Sequence, residues 1–149
     1  MQVQIFPQEL ILEHRSSILR AVPKVQAPAD PVEAWRALNA AHASVHSALE
    51  CELKRDHDLS SVEFDVLDRL SSCEKGKVRM QELAEAVHLT QSTCSRVVAR
   101  LEDEGLATRA MCTNDRRGIF ASVTDAGRER VAAAAPTYRR VIAETLPGA

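Results

Sequence analysis

The residues best suited to chemistry in this chain are Thr90, Gln91, Ser92, Thr93, Ser95, Arg96 and Arg100, spaced over little more than ten positions. They supply an amide, four hydroxyls and two guanidinium groups, and no nucleophile–base pairing. That set suits hydrogen bonding to a polyanion with patterned edges. Gln pairs with adenine, Arg with guanine, and Ser and Thr reach phosphate. A second set follows at Asn114-Asp115-Arg116-Arg117-Gly118, turn formers that carry two guanidinium groups. An Arg on a projecting turn fits the narrow, electronegative minor groove of duplex DNA. Asp115 would repel phosphate, so its expected role is to brace a neighbouring Arg through a bidentate pair.

Both sets need elements to hold them. The pattern predicts a short helix over 80–87, a tight turn at Val87-His88-Leu89, and a second helix over 90–101. In that second helix Cys94, Val97, Val98 and Leu101 form one apolar stripe, leaving the polar residues on the opposite face. The stripe would dock on Leu83, Ala84 and Val87. Gly105 is placed to end the helix in the left-handed conformation. Strand-like runs at 106–111 and 119–123 would then pair as a hairpin around the basic turn. Helix, turn, helix and hairpin in that order predict a winged helix-turn-helix, whose second helix enters a major groove.

The remainder reads as helical. Residues 5–22 predict a leading helix, and Pro23, Pro28 and Pro31 interrupt the chain after it. Asp30 as cap and Pro31 at the first helical position start a long amphipathic helix running to about His57. Trp35, Leu38, His42, Val45 and Leu49 form its stripe, in the near-heptad pattern that suits a partner helix. Ser60 and Glu63 make a capping box for a helix to about Ser72. Thr124 caps a last helix, which Pro136 is expected to break or kink. The expected organisation is an extension over 1–30, followed by 31–149. Within the latter, helices at 31–58 and 125–149 flank a winged motif at 60–124.

The 149 residues are enough for one domain with a buried core. Hydrophobic content of 45% with 27% charged residues argues against disorder. The 3% aromatic content predicts an aliphatic core. No apolar run approaches the roughly 20 residues of a membrane span, and no export signal is legible, so a cytoplasmic protein without a membrane partner is expected. The net charge of −2 confines any polyanion-binding surface to a local basic face, with Arg96, Arg100, Arg109, Arg116 and Arg117 in the second helix and hairpin. There is no phosphate-binding glycine loop, nucleophile elbow or carboxylate pair with a cleft, so neither catalysis nor a cofactor is expected.

The four cysteines, Cys51, Cys73, Cys94 and Cys112, form no CxxC pair. Cys94 lies on the core stripe. Cys112, at the start of the basic turn, is the best candidate for oxidative control. His42 and His46, four apart, could present two imidazoles to a metal. The plainer expectation is a packed or hydrogen-bonded His42, a solvated His46 and no metal site. For Asp65 the plainer expectation is an ion pair with Arg69.

The run Leu89 to Arg96, continuing to Glu104-Gly105-Leu106, resembles the MarR family of bacterial transcription regulators. Asp115-Arg116-Arg117, Val123-Thr124 and Gly127 are similar to the family's wing and the helix start after it. Leu59 and Phe64-Asp65-Val66-Leu67 resemble the family's second helix. The resemblance implies a mainly α fold with a β-hairpin wing, in a homodimer whose terminal helices interlock. It implies duplex DNA as partner at a pseudo-palindromic site, usually repression, and release by a small-molecule effector or by oxidation. By position Gln91, Ser92, Ser95, Arg96 and Arg100 would read the groove, and Arg116 or Arg117 would be the minor-groove finger. The family's ligand cavity would fall near Trp35, His42, Phe64 and Asp65. Two departures stand out, an added N-terminal segment and a short closing helix, and the leading helix is expected to complete the dimer region. A redox- or metal-responsive regulator of the same fold, or a winged adaptor that binds no DNA, are the alternatives.

Overall fold

The computed structural model describes residues 30–73, 76–112 and 115–146; the leading helix expected over 5–22 lies outside them. Helix α1 spans Pro31–His57. Asp30 Oδ1 accepts the Val32 N–H at 3.0 Å, and Pro31, which has no N–H to satisfy, occupies the first turn. Residues 30–38 belong to a different compact unit from Asn39–Ala149, and the core lies within the latter. There α1 buries Leu49 and Leu53, and basic residues in its last turn face the negative end of the helix dipole.

Helix α2 (Ser61–Ser71) starts on the expected capping box. Ser60 Oγ accepts the Glu63 N–H at 3.1 Å, and Glu63 Oε2 accepts the Ser60 N–H at 2.7 Å. Its apolar face supplies Phe64, Val66, Leu67 and Leu70 to the core. A two-residue strand β1 (Val78–Arg79) leads into α3 (Met80–Ala86). The turn to α4 (Gln91–Asp103) runs through His88 at φ 55°, and Leu89 N–H reaches back to the Ala84 carbonyl at 2.9 Å. The hairpin is β2 (Ala107–Cys112) and β3 (Asp115–Val123), so β3 begins earlier than the apolar pattern alone suggests. Backbone pairing with β2 carries it past the last alternating residue. The antiparallel sheet has the order β1-β3-β2, with Val78 opposite Ala121 and Arg109 also opposite Ala121.

Helix α5 runs unbroken over Asp125–Thr145, with Pro136 inside it. The expected break does not occur. Pro136 and Ala132, whose carbonyl loses its donor, both lie on the exposed side, where water can satisfy that carbonyl. The other side buries Val131, Ala134 and Val141. Polar links tie α5 to α1: Arg140 donates to Glu52 at 2.9 Å, and His57 Nε2 lies 2.9 Å from Thr137 Oγ1. The result is a mainly α fold with a small antiparallel wing, as the sequence predicts.

Two side-chain expectations, for Asp65 and His42, are corrected. Asp65 accepts a hydrogen bond from Tyr138 at 3.0 Å, a residue 73 positions away that local helix spacing cannot anticipate. Phe64 is a core residue stacked on Tyr138, with ring centroids 4.3 Å apart. His42 is exposed rather than packed and stacks on His46, while His46 is exposed as expected, with its Nδ1 3.2 Å from Ser61 Oγ. Neither joins a group of three or more metal-ligating side chains among the described residues.

Candidate nucleic-acid interface

Helix α4 is held by its core stripe. Cys94, Val98 and Leu101 are fully buried, each large aliphatic side chain contributing about 1.5–3 kcal/mol on burial. Burial also pushes the Cys94 thiol above its ordinary pKa, away from the reactive thiolate. Thr90 caps the helix. Its hydroxyl accepts the Thr93 N–H at 3.3 Å and lies 2.8 Å from Thr93 Oγ1 and 3.2 Å from Ser92 Oγ. Thr90 and Thr93 are thereby occupied in shaping the helix start. Ser92 and Arg96, on the side away from the stripe, are exposed.

At about 100° per residue, the polar residues do not share one face. Gln91 and Ser95 lie on the flank toward the hairpin. Arg100, nine residues after Gln91, lies about half a turn away on the flank toward α2. There its Nε is 3.1 Å from Glu63 Oε1 and donates to Glu104 Oε1 at 3.2 Å. The charge of Glu63, with the Glu104 hydrogen bond, raises the Arg100 pKa further. Arg100 is thus engaged by two carboxylates within the fold.

On the opposite flank Gln91 and Ser95 border a cleft of about 160 Å³ that also receives Arg79, Gln81, Arg109 and Ile119. The end of β1, the start of α3, the first half of α4 and the wing meet around it. Arg109 is oriented by Glu102, which accepts its backbone N–H at 3.0 Å and its Nε at 2.7 Å. Those hydrogen bonds hold the Glu102 carboxyl below its usual range. Arg79 lies over the Phe120 ring at 5.4 Å from its centroid, with Lys77 at 5.2 Å. The chemistry of the cleft is cationic and amide-rich on a chain whose net charge is negative, which suits a phosphodiester.

Arg109 belongs to the basic face expected from the sequence, whereas Arg79 and Gln81 are added by the structure. The alternation of Lys77 and Arg79, two apart on an extended segment and therefore on one side of it, is the available signal. Cys112 ends β2 opposite Asp115 in β3, with an irregularity between Met111 and Cys112. The readings of Cys112 as a redox thiol, Asp115 as a brace and Arg116 or Arg117 as a finger rest on side chains outside the described residues. Of the expected effector-pocket residues, Trp35 is 62% exposed, His42 is exposed, Asp65 is half-buried, and Phe64 belongs to the core.

The wing is seated on α4 and α5 by the backbone. Gly105 turns at φ 73°, and Leu106 N–H reaches the Leu101 carbonyl at 2.8 Å. Thr124 N–H then reaches the Leu106 carbonyl at 3.1 Å, and its hydroxyl donates to the Gly105 carbonyl at 2.7 Å. The wing base, and Arg109 with it, is therefore fixed relative to α4.

A model of the MarR family matches residues 59–119, which contain α2 to α4 and most of the wing. The fold is similar to Sco3205, a MarR family transcriptional regulator from Streptomyces coelicolor solved in complex with DNA. The TM-score is 0.74 at 32% identity, covering 80% of this chain and 77% of that one. It is also similar to AbsC, a MarR family transcriptional regulator from the same organism, with TM-score 0.70, 30% identity and 75% of each chain covered. Among curated relatives, the HTH-type transcriptional regulator MhqR of Bacillus subtilis is 30% identical over 60% of each chain. The uncharacterized HTH-type regulator YwaE of the same organism is 27% identical over 67% of this chain and 57% of its own length. The chain thus spans less than two thirds of the curated relatives that it matches.

Proposed function

Because the chain belongs to the MarR family of transcriptional regulators, we propose that it binds duplex DNA sequence-specifically, as a homodimeric repressor at a pseudo-palindromic operator. The observation that carries this reading is the cleft between α4 and the wing base, where Arg79, Gln81, Gln91, Ser95 and Arg109 converge. Helix α4 enters the major groove by its first half, with Gln91 and Arg96 toward base edges and Ser92 toward phosphate. A backbone phosphate running past the groove sits at the cleft, where Arg79 and Arg109 supply positive charge. Arg116 or Arg117 follows the adjacent minor groove from the wing.

Regulation in this account is a population shift. A small-molecule effector favours a separation of the two α4 helices that no longer matches successive major grooves. The N-terminal segment over 1–30 completes the dimer region, and the protein works in the cytoplasm, where its DNA is. Among the described residues no helix is long and apolar enough to cross a membrane.

Enrichment of bound sequences from a random duplex library tests the proposal. The expected product is an inverted repeat whose half-sites lie about one helical turn apart. A pool with no consensus after repeated rounds rejects sequence-specific binding.

A further inference from the structure

Burial of Cys94, Val98 and Leu101 fixes which face α4 turns to the core, but apolar contact is non-directional and sets small rolls about the helix axis less sharply than hydrogen-bonded contacts do. Readers on a helix are sensitive to roll: at about 100° per residue, a roll of a few tens of degrees moves Gln91 or Arg96 off its base edge. Two directional contacts grip α4 from opposite flanks. On one, Arg100 meets Glu63, a carboxylate only 3% exposed, at 3.1 Å. On the other, Glu102 holds Arg109 of β2 through both its backbone N–H and its guanidinium, the latter at 2.7 Å. Arg100 and Glu102 are two residues apart and so about 200° apart round the helix.

Glu63 is itself fixed, because its other oxygen accepts the Ser60 N–H at 2.7 Å. The Arg100 contact therefore refers α4 to the start of α2. The Glu102 contact refers it to the wing. A buried carboxylate is costly to desolvate, and replacing such pairs by apolar residues often loses no stability; their best-attested use is to specify register.

We propose that Glu63 and Glu102 are positioning residues for DNA recognition, a pair of opposed clamps that set the roll of α4 and so the sequence preference of the protein. The proposal rests on the DNA-binding reading above. It predicts that loosening either clamp degrades discrimination between sequences more than it degrades affinity for DNA as such.

The test uses the full chain and the duplex enriched from the random library, with a scrambled duplex of equal composition as reference. Glu63→Gln keeps the acceptor for Ser60 and removes the charge facing Arg100. Glu102→Gln keeps an acceptor for the Arg109 N–H. Each single variant is expected to lose about tenfold in the ratio of enriched to scrambled affinity. Scrambled affinity and the salt slope should stay unchanged or rise slightly, and the thermal midpoint should stay near the wild-type value. Glu63→Gln/Arg100→Gln should lose no more than Glu63→Gln alone, because both act through one contact. An unchanged ratio in both single variants overturns the clamp while leaving the DNA reading intact. A double variant with a shallower salt slope than Glu63→Gln also overturns it, since Arg100 would then be touching phosphate itself. A wild-type chain with no preference removes the DNA reading and the clamp together.

Discussion

Gly127→Ala separates two opposite expectations from the same position. Gly127 lies in the first turn of α5, and its N–H donates to the Thr124 hydroxyl at 3.1 Å. On helix propensity alone, Ala in place of Gly would stabilise by about 0.5–1 kcal/mol. The packing says otherwise. A Cβ at this position would lie 2.1 Å from the Leu106 carbonyl oxygen and 2.8 Å from Val123 Cγ2. The oxygen is backbone, and it is the acceptor for the Thr124 N–H, so it cannot retreat without weakening that bond. Overpacking of this kind costs about 1–3 kcal/mol, and a weakened hydrogen bond adds about 1 kcal/mol. Against the propensity gain, the net loss is about 1–3.5 kcal/mol, or a fall in thermal midpoint of about 2–14 °C at this chain length. Circular dichroism melts of the wild type and variant measure it. An unchanged or raised midpoint would refute the packing argument, and with it the seating of the wing on α5.

Other perturbations test separate parts of the account. Arg117→Ala should weaken DNA binding and flatten its salt slope by about 0.9 for each phosphate no longer neutralised, read by anisotropy across a salt series; an unchanged slope removes this arginine from the DNA-binding surface. Burial raises the Asp65 pKa, the Tyr138 hydrogen bond opposing it, so the folded state binds its proton at higher pH than the unfolded chain does. The stability this linkage adds is full below 3.8 and lost as pH rises through the folded value. Asp65→Asn, which keeps an acceptor for Tyr138, should therefore show its greatest relative stability at neutral pH and lose that advantage toward about pH 3.8 in urea titrations. Cys94→Ser leaves a hydroxyl in a fully buried apolar site and should cost about 1–3 kcal/mol. In the native wild type Cys94 should resist a thiol reagent that modifies the exposed Cys51, and rapid modification of Cys94 would contradict its burial.

What was legible in the sequence is what depends on near neighbours. The caps at Asp30, Ser60 and Thr124 each act within three residues, and each stands where the sequence places it, whereas Thr90, read as the first residue of its helix, is the cap instead. The apolar stripe of α4 was readable because Cys94, Val98 and Leu101 follow the helical repeat. Pairings between elements were not readable. Tyr138 reaches Asp65 across 73 positions, while Arg69, four residues away, seemed the natural partner. The contact of Arg100 with Glu63 needs α2 and α4 side by side, which local spacing does not reveal. Pro136 resembled a break because sequence does not reveal which side of a helix faces water. The cleft draws on β1, α3, α4 and the wing, so the place of Arg79 and Gln81 in it needs those elements assembled.

The central claim is that this surface holds DNA in a sequence-dependent way. Fluorescence anisotropy of the full chain on the duplex immediately upstream of its own coding sequence, against a scrambled duplex at two salt concentrations, tests it most directly. Tighter binding to the upstream duplex and a steep loss of affinity at the higher salt are expected. Equal affinity for both duplexes, or affinity indifferent to salt, would contradict it.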